Sequence, residues 1–187
     1  MIEKINRYWW HDGHFNEDQR DYFISLLKEL NPKTALELGW ATGRSCITIL
    51  TAGNPEKMLS VDINLDYMKA RSHAALMVKD FDNLNIIEGD SNTTLTPEFF
   101  NEEFPEGIDF IFVDGCHDYK CAKGDCNKSY NHLKEGGIMV VDDYNSGPPN
   151  GWSSADVNRA VNEFAKENNL SFDRWNVKGK GFAIFKK

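Results

Sequence analysis

The chain has 187 residues and a formal net charge of −8, from 21 Lys and Arg against 29 Asp and Glu. Hydrophobic residues make up 41% and charged residues 27%, the balance of an ordinary globular protein. A chain of this length is expected to form one domain that needs no disulfide or metal to fold. The acidic surplus argues against a nucleic-acid-binding surface, because such surfaces need clustered Lys and Arg.

Nothing in the chain predicts export or membrane insertion. The segment Met1 to Trp10 lacks the apolar region of a signal peptide, and no apolar run approaches the ~18 residues of a spanning helix. We therefore expect a cytoplasmic protein without membrane contact, whose cysteines are free thiols. No C-x2-C pair is present, and the five-residue spacing of Cys121 and Cys126 is poor for a shared ligand.

Short apolar runs alternate with amphipathic segments along the chain. The first amphipathic segment, residues 16–30, predicts a helix that Asn31-Pro32 ends. Five strands are predicted at 34–38, 58–62, 84–88, 108–113 and 138–141. Helices are predicted at 45–52, at 67–81, at 119–133 with closure by Gly136-Gly137, and at 157–165 with Ser153 or Ser154 as N-cap.

The tail is predicted as a hairpin. Its strands are 170–175 and 182–185, joined by a turn over Lys178 to Gly181. Strands that alternate with helices imply a parallel sheet covered on both faces. In such α/β sheets, ligands bind beyond the carboxyl ends of the strands, so the residues at those ends are the candidates for function.

A glycine-bearing loop follows the first strand. Gly39 and Gly43 would let the backbone approach a ligand, and the next helix offers free N–H groups there. The G-x-G-x-x-G nicotinamide fingerprint fails at Ala41 and Arg44. Two glycines alone also fit a tight turn, so the loop by itself is a weak indication of a ligand site.

Acidic residues follow the second and third strands. Asp62 lies about 20 residues beyond the glycine loop, the spacing of a carboxylate that accepts from ribose hydroxyls. The alternative is an N-cap for the next helix. Asp90, before Ser91, could accept from an adenine amino group, and a solvated helix cap is the alternative.

More acids follow the fourth and fifth strands. Asp114, Asp142 and Asp143 would meet at neighbouring strand ends, where like charges repel unless a cation neutralises them. Carboxylates suit Mg2+, Mn2+ or Ca2+, whereas helix capping or solvent exposure is the alternative. His117 has an ordinary pKa near neutrality and is a candidate general base, or else a structural histidine. The loop 147–151, GPPNG, is a candidate lid.

Together these motifs resemble the class I S-adenosylmethionine-dependent methyltransferases. The E-x-G-x-x-x-G of residues 37–43, Asp62 and Asp90 are similar to the cofactor motifs of that fold. The V-D-G-x-H-x-Y of residues 113–119 and the Asp142-Asp143 pair resemble the group of macrocin-type O-methyltransferases and cephalosporin-hydroxylase-like proteins. The resemblance extends from about Thr34 to Phe185.

The resemblance implies S-adenosylmethionine as cofactor, Mg2+ as the divalent cation, and a site for both. Asp114, Asp142 and Asp143 would be the metal ligands, and His117 or Asp114 the catalytic base. Trp40 and Ala41 depart from the smaller residues common in the loop, which could reshape the methionine pocket. The cofactor-binding residues would be Glu37, Gly39, Trp40, Ala41, Gly43, Ser45, Asp62, Asp90 and Ser91.

The implied fold is α/β: a Rossmann-like, doubly wound, seven-stranded sheet, mostly parallel, with an antiparallel C-terminal strand beside the fifth. Residues 1–187 would form one domain, with 1–32 as N-terminal helix and cap and 33–187 as the core. The implied reaction is metal-assisted O-methylation of a small hydroxylated acceptor. The alternatives are a hydroxylase-like or other non-methylating relative and a non-catalytic nucleotide-binding module; homo-oligomerisation stays open.

Overall fold

Strands and helices alternate through most of the chain in the computed structural model, which describes residues 1–9, 15–66, 70–145 and 154–187. The strands are β1 Thr34–Leu38, β2 Lys57–Asp62, β3 Leu84–Glu88, β4 Ile108–Val113, β5 Leu133–Val141, β6 Asp173–Val177 and β7 Lys180–Lys186. The helices are α1 Ile2–Arg7, α2 Glu17–Leu30, α3 Arg44–Thr48, α4 Ala70–Asp80, α5 Ser91–Thr94, α6 Pro97–Glu103, α7 Tyr119–Asn131 and α8 Ala155–Glu167. A π-helical turn, Ile49–Gly53, continues α3.

All seven strands belong to one sheet in the order β3-β2-β1-β4-β5-β7-β6. The first five pair in parallel, and β7 runs antiparallel to both β5 and β6. This confirms the predicted α/β fold, a Rossmann-like, doubly wound, seven-stranded sheet that is mostly parallel with an antiparallel C-terminal strand.

The alternation of side chains along each strand builds a hydrophobic core on each face of the sheet. Phe110 and Phe112 pack on the face covered by α2, α3 and α4. Ile111 and Val113, one residue out of phase, pack on the face covered by α6, α7 and α8. Because both faces are covered, the central strands are mostly apolar, and Glu37 of β1 and Ser60 of β2 are buried polar exceptions.

Helix α2 is bounded by local signals that the sequence contains. The Asn16 side chain accepts a hydrogen bond from the backbone N–H of Gln19, and the Gln19 side chain accepts from the backbone N–H of Asn16, which forms a capping box. At the other end, Asn31 adopts a left-handed conformation and stops the helix before Pro32. The predicted helix is thereby confirmed, with its first residue at Glu17.

The predicted closure of the fourth βα helix at Gly136-Gly137 is wrong. Helix α7 ends at Asn131, and both glycines lie inside β5. The pairing of β5 with β4 shifts between Ile108 and Phe110, and Gly136 has a φ of +79° in the irregular segment. An apolar stripe cannot distinguish a helix that ends from a strand that begins two residues later.

The C-terminal turn is tighter than predicted. It consists of Lys178 and Gly179, with φ values of +51° and +80°, while Lys180 and Gly181 already belong to β7. Two positive φ values are the geometry of a type I′ hairpin turn, whose twist matches that of the strands. Strand β6 also begins later than predicted, at Asp173. Helices α1, α5 and α6 were not predicted.

Some predictions fall outside the described residues: Tyr67 as the first residue of the predicted helix 67–81, Ser153 as an N-cap, and the candidate lid at 147–151. Ser154 stands at the N-cap position of α8 without a side-chain capping bond. Among the described residues, none of the helices has the length and apolar character needed to cross a membrane.

Candidate functional site

The strand register brings the candidate residues to one edge of the sheet. Leu38 of β1 pairs with Val61 of β2 and with Val113 of β4, and Val113 pairs with Val141 of β5. The four residues that directly follow these paired residues lie together at the start of the candidate site, because the carboxyl ends of parallel strands meet at one edge of the sheet. These residues are Gly39, Asp62, Asp114 and Asp142.

The loop after β1 requires its two glycines. Gly39 has a φ of +96°, and a Cβ there would overlap the backbone carbonyl of Asp114. Gly43 has a φ of +82°, and a Cβ there would lie 2.6 Å from the Trp40 ring. The first glycine therefore lets the loop turn tightly against the end of β4, and the second lets α3 begin over the tryptophan.

Asp62 holds the glycine loop by its backbone. One carboxylate oxygen, Oδ2, accepts hydrogen bonds from the N–H groups of Trp40 at 2.8 Å and Ala41 at 2.9 Å. The other oxygen accepts from the N–H of Asn64 at 2.9 Å. The side chain is half-buried. Each oxygen keeps acceptor capacity, so the same carboxylate can hold the loop and still receive hydroxyl donors.

Glu37 is fully buried inside the sheet edge. Its two oxygens accept from the hydroxyl groups of Ser45 at 2.5 Å and Ser60 at 2.6 Å. The pKa of Glu37 is raised to about 8, chiefly by burial and also by the nearby charges of Asp114 and Asp62, against the opposing effect of the two hydroxyl groups. Glu37 therefore connects the start of α3, through Ser45, to β2, through Ser60.

Trp40 and Ala41 use the loop differently. The Trp40 ring is 1% exposed and packs in the hydrophobic core on the face of the sheet that α3 and α4 cover. Ala41 is half-buried at the loop tip and has a φ of +45°, a left-handed conformation that is rare for alanine. The large ring thus lies under the loop, and only the backbone of Trp40 contributes to its upper side.

Asp90 and Ser91 lie at the end of β3, both half-buried. Asp90 is the N-cap of α5, and its Oδ1 accepts from the backbone N–H of Asn92 at 2.8 Å. The capping alternative therefore holds for this residue. Asp90 nevertheless lies at the same edge of the sheet as Asp62, which pairs with Glu88.

Asp114, His117 and Asp143 form a cluster at the ends of β4 and β5, hereafter the carboxylate cluster. One ligand-type atom from each residue lies within 4.8 Å of the others. His117 Nε2 is 3.6 Å from Asp114 Oδ1 and 3.5 Å from Asp143 Oδ2. Interaction with Asp114 raises the pKa of His117. Burial, and then the charge of Asp143, raise the pKa of Asp114, while His117 opposes that shift.

Asp142 is adjacent to the cluster but is turned inward. It is 6% exposed, and both its oxygens accept from Gln19 Nε2, at 3.0 and 3.1 Å. Burial, together with the charges of Asp114 and Asp143, raises the pKa of Asp142 well above its ordinary value. The predicted trio of acids is therefore close in space, with His117 rather than Asp142 completing the close cluster. Nothing in the sequence around Gln19 indicated its part in the site.

A lysine also reaches the cluster. Lys180, the first residue of β7, places its Nζ 3.7 Å from Asp143 Oδ1. The antiparallel insertion of β7 next to β5 causes this approach, so the sequence alone could not reveal it. The single Lys180 ammonium does not balance the several carboxylates, so the excess of negative charge favours binding of a further cation.

A small cleft opens next to the carboxylate cluster, between the ends of β4 and β5 and the helices α7 and α8. Its floor is apolar and its rim carries the polar groups described above. The lining residues are Val113, Asp114, Gly115, Cys116, His117, Ala122, Val141, Asp142 and Val157.

The described residues contain a second cluster that the sequence analysis missed: Cys116, Asp118 and Cys121, hereafter the thiol cluster. Their sulfur and carboxylate atoms lie within 4.8 Å of one another. The prediction of free thiols is correct as to disulfides. The spacing of Cys121 and Cys126 along one helix gives no indication of Cys116, which the loop before α7 brings close to Cys121.

Comparison with solved structures supports the fold. The chain superposes on cofactor-bound Rv0187 from MTB with a TM-score of 0.74 at 16% identity, covering 98% of this chain and 85% of that one. The O-methyltransferase TomG from Streptomyces achromogenes, in complex with SAM, superposes with a TM-score of 0.73 at 16% identity, covering 99% of this chain and 87% of TomG. The O-methyltransferase from Bacillus cereus, in complex with SAH, superposes with a TM-score of 0.72 at 18% identity, covering 100% of this chain and 87% of that one.

Sequence comparison covers less. The uncharacterized protein R132 of Acanthamoeba polyphaga mimivirus is 42% identical over 43 residues, which are 23% of this chain and 20% of R132. The match therefore spans about a fifth of that curated relative. A family model described as a methyltransferase domain matches residues 36–144, more than half of the chain and all the strand ends described above. The chain therefore belongs to this methyltransferase family.

Proposed function

We propose that the protein transfers a methyl group from S-adenosylmethionine to a hydroxyl oxygen of a small acceptor, assisted by a divalent cation. The observation that carries the proposal is the single sheet edge shared by the glycine loop, Asp62 and the carboxylate cluster. A cofactor on the loop and a cation at the cluster would then face one another. The O-methyltransferases of similar fold, solved with SAM or SAH, support the choice of cofactor.

The cofactor contributes an activated methyl group, so the task of the chain is to position it for in-line transfer. In the proposal, the backbone of Gly39 to Gly43 holds the methionine part, Asp62 accepts from the ribose hydroxyls, and Asp90 lies beside the adenine. Asp62 is suited to this task because it also anchors the loop amides of Trp40 and Ala41. One rigid group would thus set the distance between ribose and methionine subsites.

The carboxylates of the carboxylate cluster, together with the adjacent Asp142, fit a hard divalent cation. Asp114, Asp142 and Asp143 supply carboxylate oxygens, the ligands that Mg2+ and Mn2+ prefer. Burial of Asp114 and Asp142 beside another carboxylate makes their joint ionisation costly without a cation. A cation held by these carboxylates would lower the pKa of an acceptor hydroxyl group.

His117 is our proposed base. Its Nε2 faces Asp114 and Asp143, which orient the ring at the mouth of the cleft. From that position it takes the proton that the acceptor hydroxyl loses as the new C–O bond forms. Asp114 is the second candidate for this role.

Isothermal titration with SAH, followed by methyl transfer from labelled SAM to a panel of phenols and sugars, tests the proposal. We expect SAH binding, transfer that rises with Mg2+ and falls in EDTA, and loss of the Mg2+ stimulation in Asp143→Asn. Asp173→Asn, an exposed acid paired with Lys186, is the matched control and should behave as the wild type. Absence of SAH binding at millimolar concentration would refute the cofactor assignment.

Lys180 supports one rival mechanism, in which an internal ammonium replaces the cation. If the cation is used, Lys180→Met removes a competing charge and should strengthen the apparent Mg2+ affinity. If the ammonium is used, the same variant should lose activity that EDTA never affected. SAH binding without transfer to any acceptor would favour the non-catalytic module, and stoichiometric bound iron would favour a hydroxylase-like relative.

A further inference from the structure

We propose that Cys116, Asp118 and Cys121 form a second metal site, a thiolate-containing site for Zn2+ at the start of α7. This site is separate from the carboxylate cluster and does not depend on the proposed methyl transfer. Its role is structural: it would join the loop after β4 to the first turn of α7 and so fix the segment that carries Asp114 and His117.

The three side chains of the thiol cluster converge at the start of α7. Asp118 is the N-cap of α7, and its Oδ1 accepts from the backbone N–H groups of Lys120 at 3.0 Å and Cys121 at 3.1 Å. These bonds fix the carboxylate and leave the other oxygen, Oδ2, 3.0 Å from Cys116 Sγ. Two ligands from the loop and one from the helix therefore converge without any change of backbone.

The ligand atoms of the thiol cluster are close enough to share one ion. All three ligand atoms lie within 4.8 Å of one another. A tetrahedral Zn2+ with Zn–S bonds of ~2.3 Å places two sulfurs ~3.8 Å apart, so a side-chain movement of about 1 Å closes the site. Cys116 and Cys121 are half-buried and Asp118 is exposed, which leaves a path for the ion and a fourth position for water.

A side-chain amide also contacts the sulfur of Cys121. Asn92 Nδ2 lies 3.4 Å from Cys121 Sγ as a donor and 3.1 Å from Asp90 Oδ1. An N–H directed at a thiolate stabilises its negative charge and orients it toward a metal. This amide comes from α5, after β3, so a different part of the fold orients the cysteine.

The donor types decide which ion each cluster takes. Two sulfurs and one carboxylate select Zn2+, or Co2+ as its spectroscopic substitute, over Mg2+. The other site, at Asp114, Asp142 and Asp143, provides carboxylate oxygens, and it selects the harder ion. The two sites are therefore distinguishable in one protein by the ion that each one prefers.

Titration of the full-length, reduced protein with Co2+ under anaerobic conditions tests the proposal. We expect one equivalent of Co2+ to produce a thiolate-to-metal charge-transfer band that Zn2+ abolishes and excess Mg2+ leaves intact. Cys116→Ser and Cys121→Ser should each lose most of the band, and Asp118→Asn should weaken Co2+ binding at least tenfold. Cys126→Ser, a buried thiol outside the cluster, and Asp143→Asn should retain it.

A second measurement covers variants that fail to fold. Alkylation of the wild-type protein, read by peptide mass spectrometry, should be at least tenfold slower at both Cys116 and Cys121 when one equivalent of Zn2+ is present. Absence of the band in the reduced wild type, its survival in both cysteine variants, or Zn2+-independent alkylation would each overturn the proposal.

Discussion

Gln19 donates its side-chain amide to both oxygens of Asp142, at 3.0 and 3.1 Å, across 123 positions of sequence. The glutamine is fully buried, and its own oxygen accepts from the backbone N–H of Asn16 in the capping box of α2. One side chain thus joins the start of α2 to the acidic end of β5. The orientation of Asp142, and with it the shape of the carboxylate cluster, depends on a residue far outside the motifs.

Replacing this donor should destabilise the protein and its cation site together. Gln19→Met keeps the approximate volume but leaves the buried Asp142 carboxylate without its side-chain donor, a cost of about 1–3 kcal/mol. Urea denaturation measures this loss, and we expect weaker Mg2+ binding by titration as well. Asn16→Ala removes the capping box alone, at a cost of about 1 kcal/mol. Equal losses in the two variants, with unchanged Mg2+ binding, would contradict the assigned role.

Gly39 should tolerate no side chain. In Gly39→Ala the new Cβ overlaps the Asp114 carbonyl at a φ of +96°, so overlap and backbone strain together cost about 3 kcal/mol or more. Thermal or urea denaturation would detect this loss. Ala41→Gly, two residues away at a φ of +45°, relieves a left-handed alanine and should be close to neutral. A stable Gly39→Ala protein would show that the approach of the loop to β4 is wrongly described.

Glu37 predicts an unusual pH dependence of stability. Its pKa is about 8 in the folded protein against an ordinary 4.5, so between these values only the folded state binds the proton. Stability from this group is therefore fully present below about pH 4.5 and is lost as the pH rises to about 8, by about 1.4 kcal/mol per pH unit.

Glu37→Gln imitates the protonated form and removes this titration. The free energy of unfolding of the variant, relative to the wild type, should rise steadily from pH 5 to pH 8 and then level off. Other buried acids titrate in both proteins, so their contributions largely cancel in the difference. Urea denaturation at several pH values makes the comparison, and a pH-independent difference would mean that the buried carboxyl is ionised throughout.

Asp62 should couple loop order to cofactor affinity. Asp62→Asn replaces an oxygen by an amide donor, so it cannot accept from the Trp40 and Ala41 N–H groups and Asn64 at once. We expect SAH affinity to fall at least tenfold, about 1.4 kcal/mol, in isothermal titration. Asp66→Asn is the matched control, because that exposed acid pairs with Arg71 on the surface. Equal affinities in the two variants would remove Asp62 from the proposed ribose site.

The sequence by itself determined most of the sheet, because periodicity is a local property. The runs at 34–38, 84–88 and 108–113 predicted β1, β3 and β4 to the residue, and Gly39, Asp90 and Asp114 lie just beyond them. The boundaries that failed are those where one apolar pattern serves two elements, as at Leu133. Helix α6 escaped notice because its seven residues are too few to show a clear period.

Only the tertiary structure decided which acids meet and what surrounds them. Register and strand order set Asp114 and Asp143 against His117, turned Asp142 toward Gln19, and brought Lys180 to the cluster through β7. The same folding placed Cys116 beside Cys121. These contacts are non-local, and the direction of a side chain depends on every element packed around it. A linear pattern therefore identifies the residue types at a strand end, whereas their partners emerge only when the sheet and its helices are assembled.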